Sequence, residues 1–358
     1  MHPASTPAHR VAHPFQFTGR AGEFFKIWIV NICLTILTLG IYSAWAKVRT
    51  QQYFYGNTLL AGSSFEYTAQ PITILKGRLL TVAAVFIYAI TTTIWPLTAP
   101  LFMLLFAALL PWLISRSLKF RALNSRYRNL RFNFDGQYWD AFINFLLLPG
   151  LSFFTLGILY PFAIYLQQRW LIKHSSYGRS RFRSDLTAGP IYKAYLLGAL
   201  ILFGGFMLVV ILGIASATMA VDNSSLKNDL SGAARVLPDG LSAFAGLIML
   251  PVYYFAFVYI RARVANAALN STQLEQHGLQ STLQARRLFV IYLTNTLAIL
   301  CSLGLLIPWA KIRIARYKAT CTTFIAGDDL DHFTQAQQEQ QNAIGEEMSD
   351  ILDVEFGL

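Results

Sequence analysis

Charge is what this chain has least of. Asp, Glu, Lys and Arg make up 13% of its 358 residues, hydrophobic residues make up 55%, and mean hydropathy is +0.45. Soluble domains carry about 25% charged residues. The deficit is concentrated in uncharged runs at Ile27–Ala46, Leu79–Ser115, Ala141–Gln168, Ala194–Val221, Leu241–Ile260 and Leu288–Ala310. Roughly 20 apolar residues suffice for a helix to cross the hydrocarbon core. Six runs of that length, one almost double, exclude a soluble core and predict a polytopic membrane protein. Cysteine is nearly absent: Cys33, Cys301 and Cys321 are too scattered for a disulfide framework and form no CxxC pair. No histidine stands at zinc-ligand spacing from a cysteine. The first 23 residues contain no apolar core of a cleavable signal peptide, so the first hydrophobic segment is expected in the mature protein. GxSxG, HExxH and Walker A motifs are missing as well, and His174 and His277 stand alone in basic loops. These absences predict no enzyme, no cofactor and no metal site. No aromatic-basic RNA-binding signature is present, so nucleic acid is not an expected partner.

Present instead is self-similarity. A shift of 117 residues, without gaps, places Phe15, Phe17, Gly19 and Phe25 on Phe132, Phe134, Gly136 and Phe142. The same shift places Thr38-Leu39-Gly40-Ile41 on Thr155-Leu156-Gly157-Ile158, and Glu23 on Asp140. A shift of 264 places Asn31, Leu39 and Gly40 on Asn295, Leu303 and Gly304, then Trp45-Ala46-Lys47 and Arg49 on Trp309-Ala310-Lys311 and Arg313. Chance similarity between apolar helices does not produce F-x-F-x-G, LG and WAKxR at constant offsets, so an internal repeat is expected.

Each unit reads as a short alternating segment (PFQFTG or RFNFDG), an apolar segment broken at LG, a basic stretch, a hairpin-like polar piece and two further apolar segments. The expected fold is an all-α polytopic helical membrane bundle carrying small cytoplasmic β-hairpins. Its expected organisation is a flexible start (1–12), a first repeat (13–130, segments about 24–46, 79–96 and 100–117), a second repeat (131–274, segments about 141–166, 192–219 and 241–260), a truncated third (275–327, segment about 288–310) and an acidic tail (328–358).

The stretch FQFTGRAGEFFKIWIVNICLTILTLGIYSAWAKVRTQQYFYGNT, the following FEYTAQPITILKGR, and PWAKIRIARY near the end resemble the YjgN-like bacterial multi-pass inner-membrane proteins, a family catalogued as a domain of unknown function. The resemblance covers most of residues 13–325. It implies an inner-membrane location and names no substrate.

Lysine and arginine gather on cytoplasmic loops. If every apolar segment spans, the basic loop after the first LG segment lies opposite the equally basic loop after the second. If each LG segment bends back at its glycine, 27 of the 29 basic residues share the cytoplasmic side with both termini, and only Lys227 and Arg235 face outward. Charge favours the bent form. Segment length permits a plain span, which would invert one copy relative to the other as in many transporters.

Two sets of residues follow as candidates. Trp45, Lys47, Arg49, Trp309, Lys311 and Arg313 suit interfacial anchoring or an anionic lipid headgroup. Asn31 and Asn295, with the breaks at Gly40, Gly157 and Gly304, suit helix–helix hydrogen bonding or a site at the repeat interface. The leading expectation is a non-enzymatic protein that binds lipid or a protein partner; the alternative is a transporter or channel at the repeat interface. From Asp328 onward the tail holds nine acids and no Lys or Arg. It is expected to be solvated, or to dock a protein partner through Ile351, Leu352, Val354 and Phe356.

Overall fold

The computed structural model describes residues 11–223 and 239–327, with 330, 333–335 and 337. The first ten residues, the expected outward loop with Lys227 and Arg235, and the expected docking stretch 351–356 lie outside the described residues.

The chain alternates helical hairpins with β-hairpins. After β1 (Val11–Pro14) and β2 (Gln16–Phe17) come a short helical pair, α1 (Ala21–Leu37) and α2 (Ser43–Gly56), and the strands β3 (Thr58–Leu60) and β4 (Ser63–Tyr67). A long pair follows, α3 (Pro71–Ile94) and α4 (Ala99–Leu123), with β5 (Ser125–Tyr127) and β6 (Leu130–Phe134). The next short pair is α5 (Tyr138–Phe142) and α6 (Leu148–Phe154), continuous through a π-helical turn, against α7 (Tyr160–Lys173), with β7 (Ser175–Tyr177) and β8 (Ser180–Ser184). The second long pair is α8 (Ala188–Asn223) and α9 (Asp239–Asn270), with β9 (Thr272–Leu274) and β10 (His277–Ser281). The last short pair is α10 (Ala285–Cys301) and α11 (Ile307–Thr320), before β11 (Thr322–Ala326).

Local chemistry explains the alternation. Three strand-bound helices, α2, α4 and α7, end on a side chain placed to bond back to the last turn: the Asn57 amide donates to the Tyr53 carbonyl at 2.8 Å, Asn124 to Phe120 at 2.7 Å, and His174 Nδ1 lies 3.0 Å from the Trp170 carbonyl. The next residue, Thr58, Ser125, Ser175, Thr272 or Thr322, does the same with its hydroxyl at 2.7–2.9 Å. Both bonds satisfy orphan carbonyls and stop the helix where the strand begins. Proline stands in the first turn of α3, α4, α7 and α11, where its missing N–H costs nothing.

All eleven strands form one antiparallel sheet, in the order β1-β11-β10-β9-β8-β7-β6-β5-β4-β3-β2. The strands at its two ends, β1 and β2, are consecutive in the chain, so Phe15 between them joins the sheet into a nearly closed barrel. The register recurs: Phe65 opposes Tyr127, Phe132 opposes Tyr177, Phe182 opposes Leu274 and Leu279 opposes Phe324. These side chains meet inside the barrel in one apolar cluster with Leu60 and Leu130. There the Tyr127 hydroxyl donates to the Leu60 carbonyl at 2.7 Å and the Tyr177 hydroxyl to the Tyr127 carbonyl at 2.9 Å. Burial pushes the Tyr177 phenol far above its ordinary range, so it stays a neutral donor.

This barrel corrects the expected all-α bundle with separate small hairpins. The strand readings PFQFTG, RFNFDG, NTLLAGSSFEYT and SSYGRSRFRSDL correspond to β2, β6, β3–β4 and β7–β8. A lone two-stranded hairpin leaves both edges with unpaired N–H and C=O groups. Pairing each hairpin with the next, as Phe132 with Tyr177 and Phe182 with Leu274, removes those edges, and local pattern carries no trace of that pairing.

The count of spans is corrected too. Among the described residues, three helices are long and apolar enough to cross a membrane: Pro71–Ile94, Pro96–Leu123 and Ala188–Ala215. The three LG segments are not continuous helices, because each folds into a short hairpin. At the first, the Leu39 N–H donates to the Ile36 carbonyl (3.1 Å) and the Gly40 N–H to the Thr35 carbonyl (2.7 Å), the paired bonds of a Schellman C-cap. Leu39, Leu156 and Leu303 hold φ of 49°, 51° and 49°, and the following glycines 92°, 84° and 92°. Thr38 completes the turn, since its hydroxyl accepts from the Tyr42 N–H at 2.9 Å. Thr155 and Ser302 repeat that contact.

Candidate functional site: a polar cleft on the first short hairpin

Helices α1 and α2 lie against each other, and α1 also packs on α11, bringing the chain's first and last helical hairpins together. Between them is a cleft of about 440 Å³. Trp28, Ile32 and Ile36 are its apolar lining residues, and Asn31, Ser43, Lys47 and Lys311 line it with polar groups.

Asn31 is the unusual member. Its residue is 4% exposed, and neither the amide nitrogen nor the oxygen of its side chain has a hydrogen-bond partner. Burying an amide without a partner costs about 1–3 kcal/mol, and buried polar atoms left in that state are rare. Asn295, its counterpart at the 264-residue shift, is equally buried but satisfied: its amide donates to the Ala310 carbonyl at 3.3 Å and accepts from Arg313 at 3.1 Å. Arg313 is held further by the Thr294 hydroxyl at 2.6 Å and by the Trp309 ring at 5.1 Å. In the first hairpin Arg49 turns elsewhere, to the Tyr42 hydroxyl at 3.0 Å, which leaves Asn31 alone.

The cleft is cationic. Lys47 and Lys311 line it, and Lys311 Nζ also sits 6.0 Å from the Phe24 ring centroid. Arg78, from the base of α3, donates to the Ser43 hydroxyl, which itself donates to the Gly40 carbonyl. No carboxylate lines the cleft. Two ammonium groups and one unpartnered amide suit a small anion with several acceptor oxygens.

The structure therefore brings together Asn31, Lys47 and Lys311 from the sequence candidates. Arg49, Asn295, Trp309 and Arg313 do not line the cleft, and Trp45 stacks on Tyr42 with ring centroids 6.1 Å apart. Gly40, Gly157 and Gly304 serve the turns: a Cβ on Gly40 would meet nothing within 4 Å, so backbone conformation is what requires glycine there. Arg78 escaped the sequence reading because it lies in the next helical pair.

A second set of positions also went unread. The tail beyond Gly327 was expected to be solvated, yet Leu330, Thr334 and Gln337 are buried against the barrel. The Gln337 amide donates to the Ser180 hydroxyl at 2.8 Å and accepts from the Arg179 N–H at 3.0 Å. Phe333 meets the His277 ring at 4.7 Å. Its acidic composition hid these scattered apolar contacts.

The profile of DUF898, described as bacterial protein of unknown function, matches residues 12–351. The chain belongs to this family. Inner membrane protein YjgN of Escherichia coli (strain K12) is 24% identical over 374 residues, which cover 92% of each chain. Its namesake in Salmonella typhimurium (strain LT2) is 26% identical over 368 residues, covering 88% of this chain and 89% of the relative. No solved structure matches the chain. The family description assigns no activity, and the relatives' names give a location only.

Proposed function

We propose that this protein is a non-enzymatic, multi-pass inner-membrane protein whose cleft on the first short hairpin binds the phosphate of an anionic lipid headgroup. The observation that carries the reading is the buried, unpartnered Asn31 amide in a cleft lined also by Lys47 and Lys311. A headgroup phosphate supplies acceptors to the amide N–H and countercharge to both lysines, while the apolar wall of Trp28 and Ile32 takes the start of the acyl chains.

The membrane placement has its own support. Helix α3 has no buried residue, and its length and hydropathy suit a bilayer. Leu39, Leu156 and Leu303, at the tips of the short hairpins, are 95%, 94% and 95% exposed, an apolar presentation suited to lipid. Lys76 and Arg78 at the base of α3, with Arg116 and Lys119 on the last turns of α4, bracket the uncharged run 79–115. In this reading the long pairs cross the bilayer, and the short pairs dip in and return. The barrel and the basic belt lie on the cytoplasmic side, and the duplicated segments are copies of one unit. The names of the relatives support the inner membrane as the location.

The test is lipid retention by protein purified from mixed membranes. Wild type is expected to keep phosphatidylglycerol over phosphatidylcholine by native mass spectrometry, and Lys47→Gln with Lys311→Gln to lose about tenfold in that preference. Asn31→Leu is expected to lose the preference while folding as well as wild type, because it removes an unpaired amide. Asn295→Leu is expected to destabilise the fold without altering headgroup choice. Unchanged lipid preference in both cleft variants refutes the assignment.

A further inference from the structure

Away from the cleft, a second, partly open space lies at the mouth of the barrel. It has a volume of about 500 Å³ and lies where strands meet helix bases. Phe15, Phe65 and Phe132 wall it from the barrel, Phe54 and Leu118 from the helices, and among the described residues Arg121 is the one charged side chain on its lining. Phe65 and Phe132 are inward-facing strand positions, with Phe15 between β1 and β2 beside them: Phe15 and Phe65 stack at 6.1 Å, and Phe65 meets the Tyr127 ring at 4.7 Å.

One end of this space is closed. Beyond the phenylalanines, Leu60, Tyr127, Tyr177, Leu274 and Phe324 fill the barrel, with Leu330 behind them. The two tyrosine hydroxyls bonded to strand carbonyls fasten that layer. The barrel therefore has a pocket with a floor, not a pore.

We infer that this chamber binds a single-chain anionic amphiphile of the fatty-acid type, its carboxylate on Arg121 and its chain among the phenylalanines. The charge on its lining selects the sign of the head: one guanidinium, no carboxylate, and Ser125, Ser175 and Asn133 as neutral neighbours. Arg121 lies on the last turn of α4, two residues beyond Lys119, on the same basic belt that flanks the apolar run. A head there and a chain pointing into the barrel satisfy both ends of the molecule. The floor limits chain length, so long chains are expected to be discriminated from very long ones.

Palmitic acid with a photoactivatable diazirine near its terminal methyl provides the test, applied to the whole protein in phosphatidylcholine nanodiscs. Expected are crosslinks to peptides containing Phe65 and Phe132, competed by unlabelled palmitate and at least about fivefold less by hexadecanol. Arg121→Gln is expected to reduce the specific crosslinks about tenfold and Arg121→Lys to restore much of the loss, with both proteins eluting and melting as wild type. Lys47→Gln with Lys311→Gln leaves this labelling unchanged, so the chamber and the headgroup cleft are tested separately. Crosslinks confined to the lipid-facing surfaces of α3 and α8 would overturn the assignment of the site. Equal competition by hexadecanol would overturn the anionic head.

Discussion

Leu39 and Gly40 show how one turn serves two demands. Leu39 occupies the left-handed region, where an L side chain costs roughly 1–2 kcal/mol, and a glycine would relieve that cost. Leucine there still gives the hairpin tip an apolar side chain with no protein neighbour to hide it. Gly40, at φ 92°, has no such alternative. Gly40→Ala is expected to destabilise the protein by about 1 kcal/mol, because its backbone suits only glycine. Leu39→Gly is expected to stabilise it by a similar amount in detergent. Thermal melts of both variants beside Gly56→Ala, at a glycine with ordinary φ and open space, check the pair of signs. Gly136 has a different reason: a Cβ there would lie 2.4 Å from the Trp170 ring, so the glycine of F-x-F-x-G is a packing requirement.

The helical hairpins differ in length while the β-hairpins hardly differ. At 1.5 Å per residue, α1 reaches about 25 Å and α8 about 54 Å, the difference on which the proposed crossing of the long pairs and partial entry of the short ones rests. That difference yields a topology experiment on the β-hairpins at their bases. In a background with Cys33, Cys301 and Cys321 replaced, single cysteines at Ala61 and at the exposed Arg179 mark the turns of β3–β4 and β7–β8. Both are expected to stay unlabelled by an impermeant thiol reagent in intact spheroplasts and to label after permeabilisation. Labelling of only one of them from outside would place the two β-hairpins on opposite faces, which one continuous barrel does not allow, and would revive the inverted-copy arrangement.

Closure of the barrel makes the molecule a single unit. Its first described strand pairs with its last: Ala12 faces Ile325, and after Phe15 the same stretch continues onto β3, with Gln16 facing Leu59. In the same cysteine-free background, Ala12→Cys with Ile325→Cys is expected to crosslink with a short bifunctional reagent and to shift mobility on a denaturing gel. Ala12→Cys with Ala61→Cys is expected not to crosslink. Deleting residues 11–17 would expose the edges of β11 and β3 together, with aggregation as the expected result, read by size-exclusion chromatography.

Much of the local design was legible in the chain itself. Alternating phenylalanines marked β2 and β6, turn residues marked two hairpins, and charge segregation favoured a fold-back at Leu39-Gly40 over a plain span. These features depend on neighbours within a few residues, where dihedral preference and hydropathy period act directly. Asn31, Lys47 and Lys311 were legible as residues of interest, but their convergence, and the contrast between a lone Asn31 and a satisfied Asn295, arise from packing α1 on α11 across most of the chain. Likewise, strand edges, the aromatic chamber with Arg121, and the seat of Leu330 and Gln337 depend on which distant segments pair. Hydropathy by itself determined that the protein seeks a membrane; only tertiary structure decided that its hairpins form one barrel, because the unpaired strand edges find their partners in hairpins far along the chain.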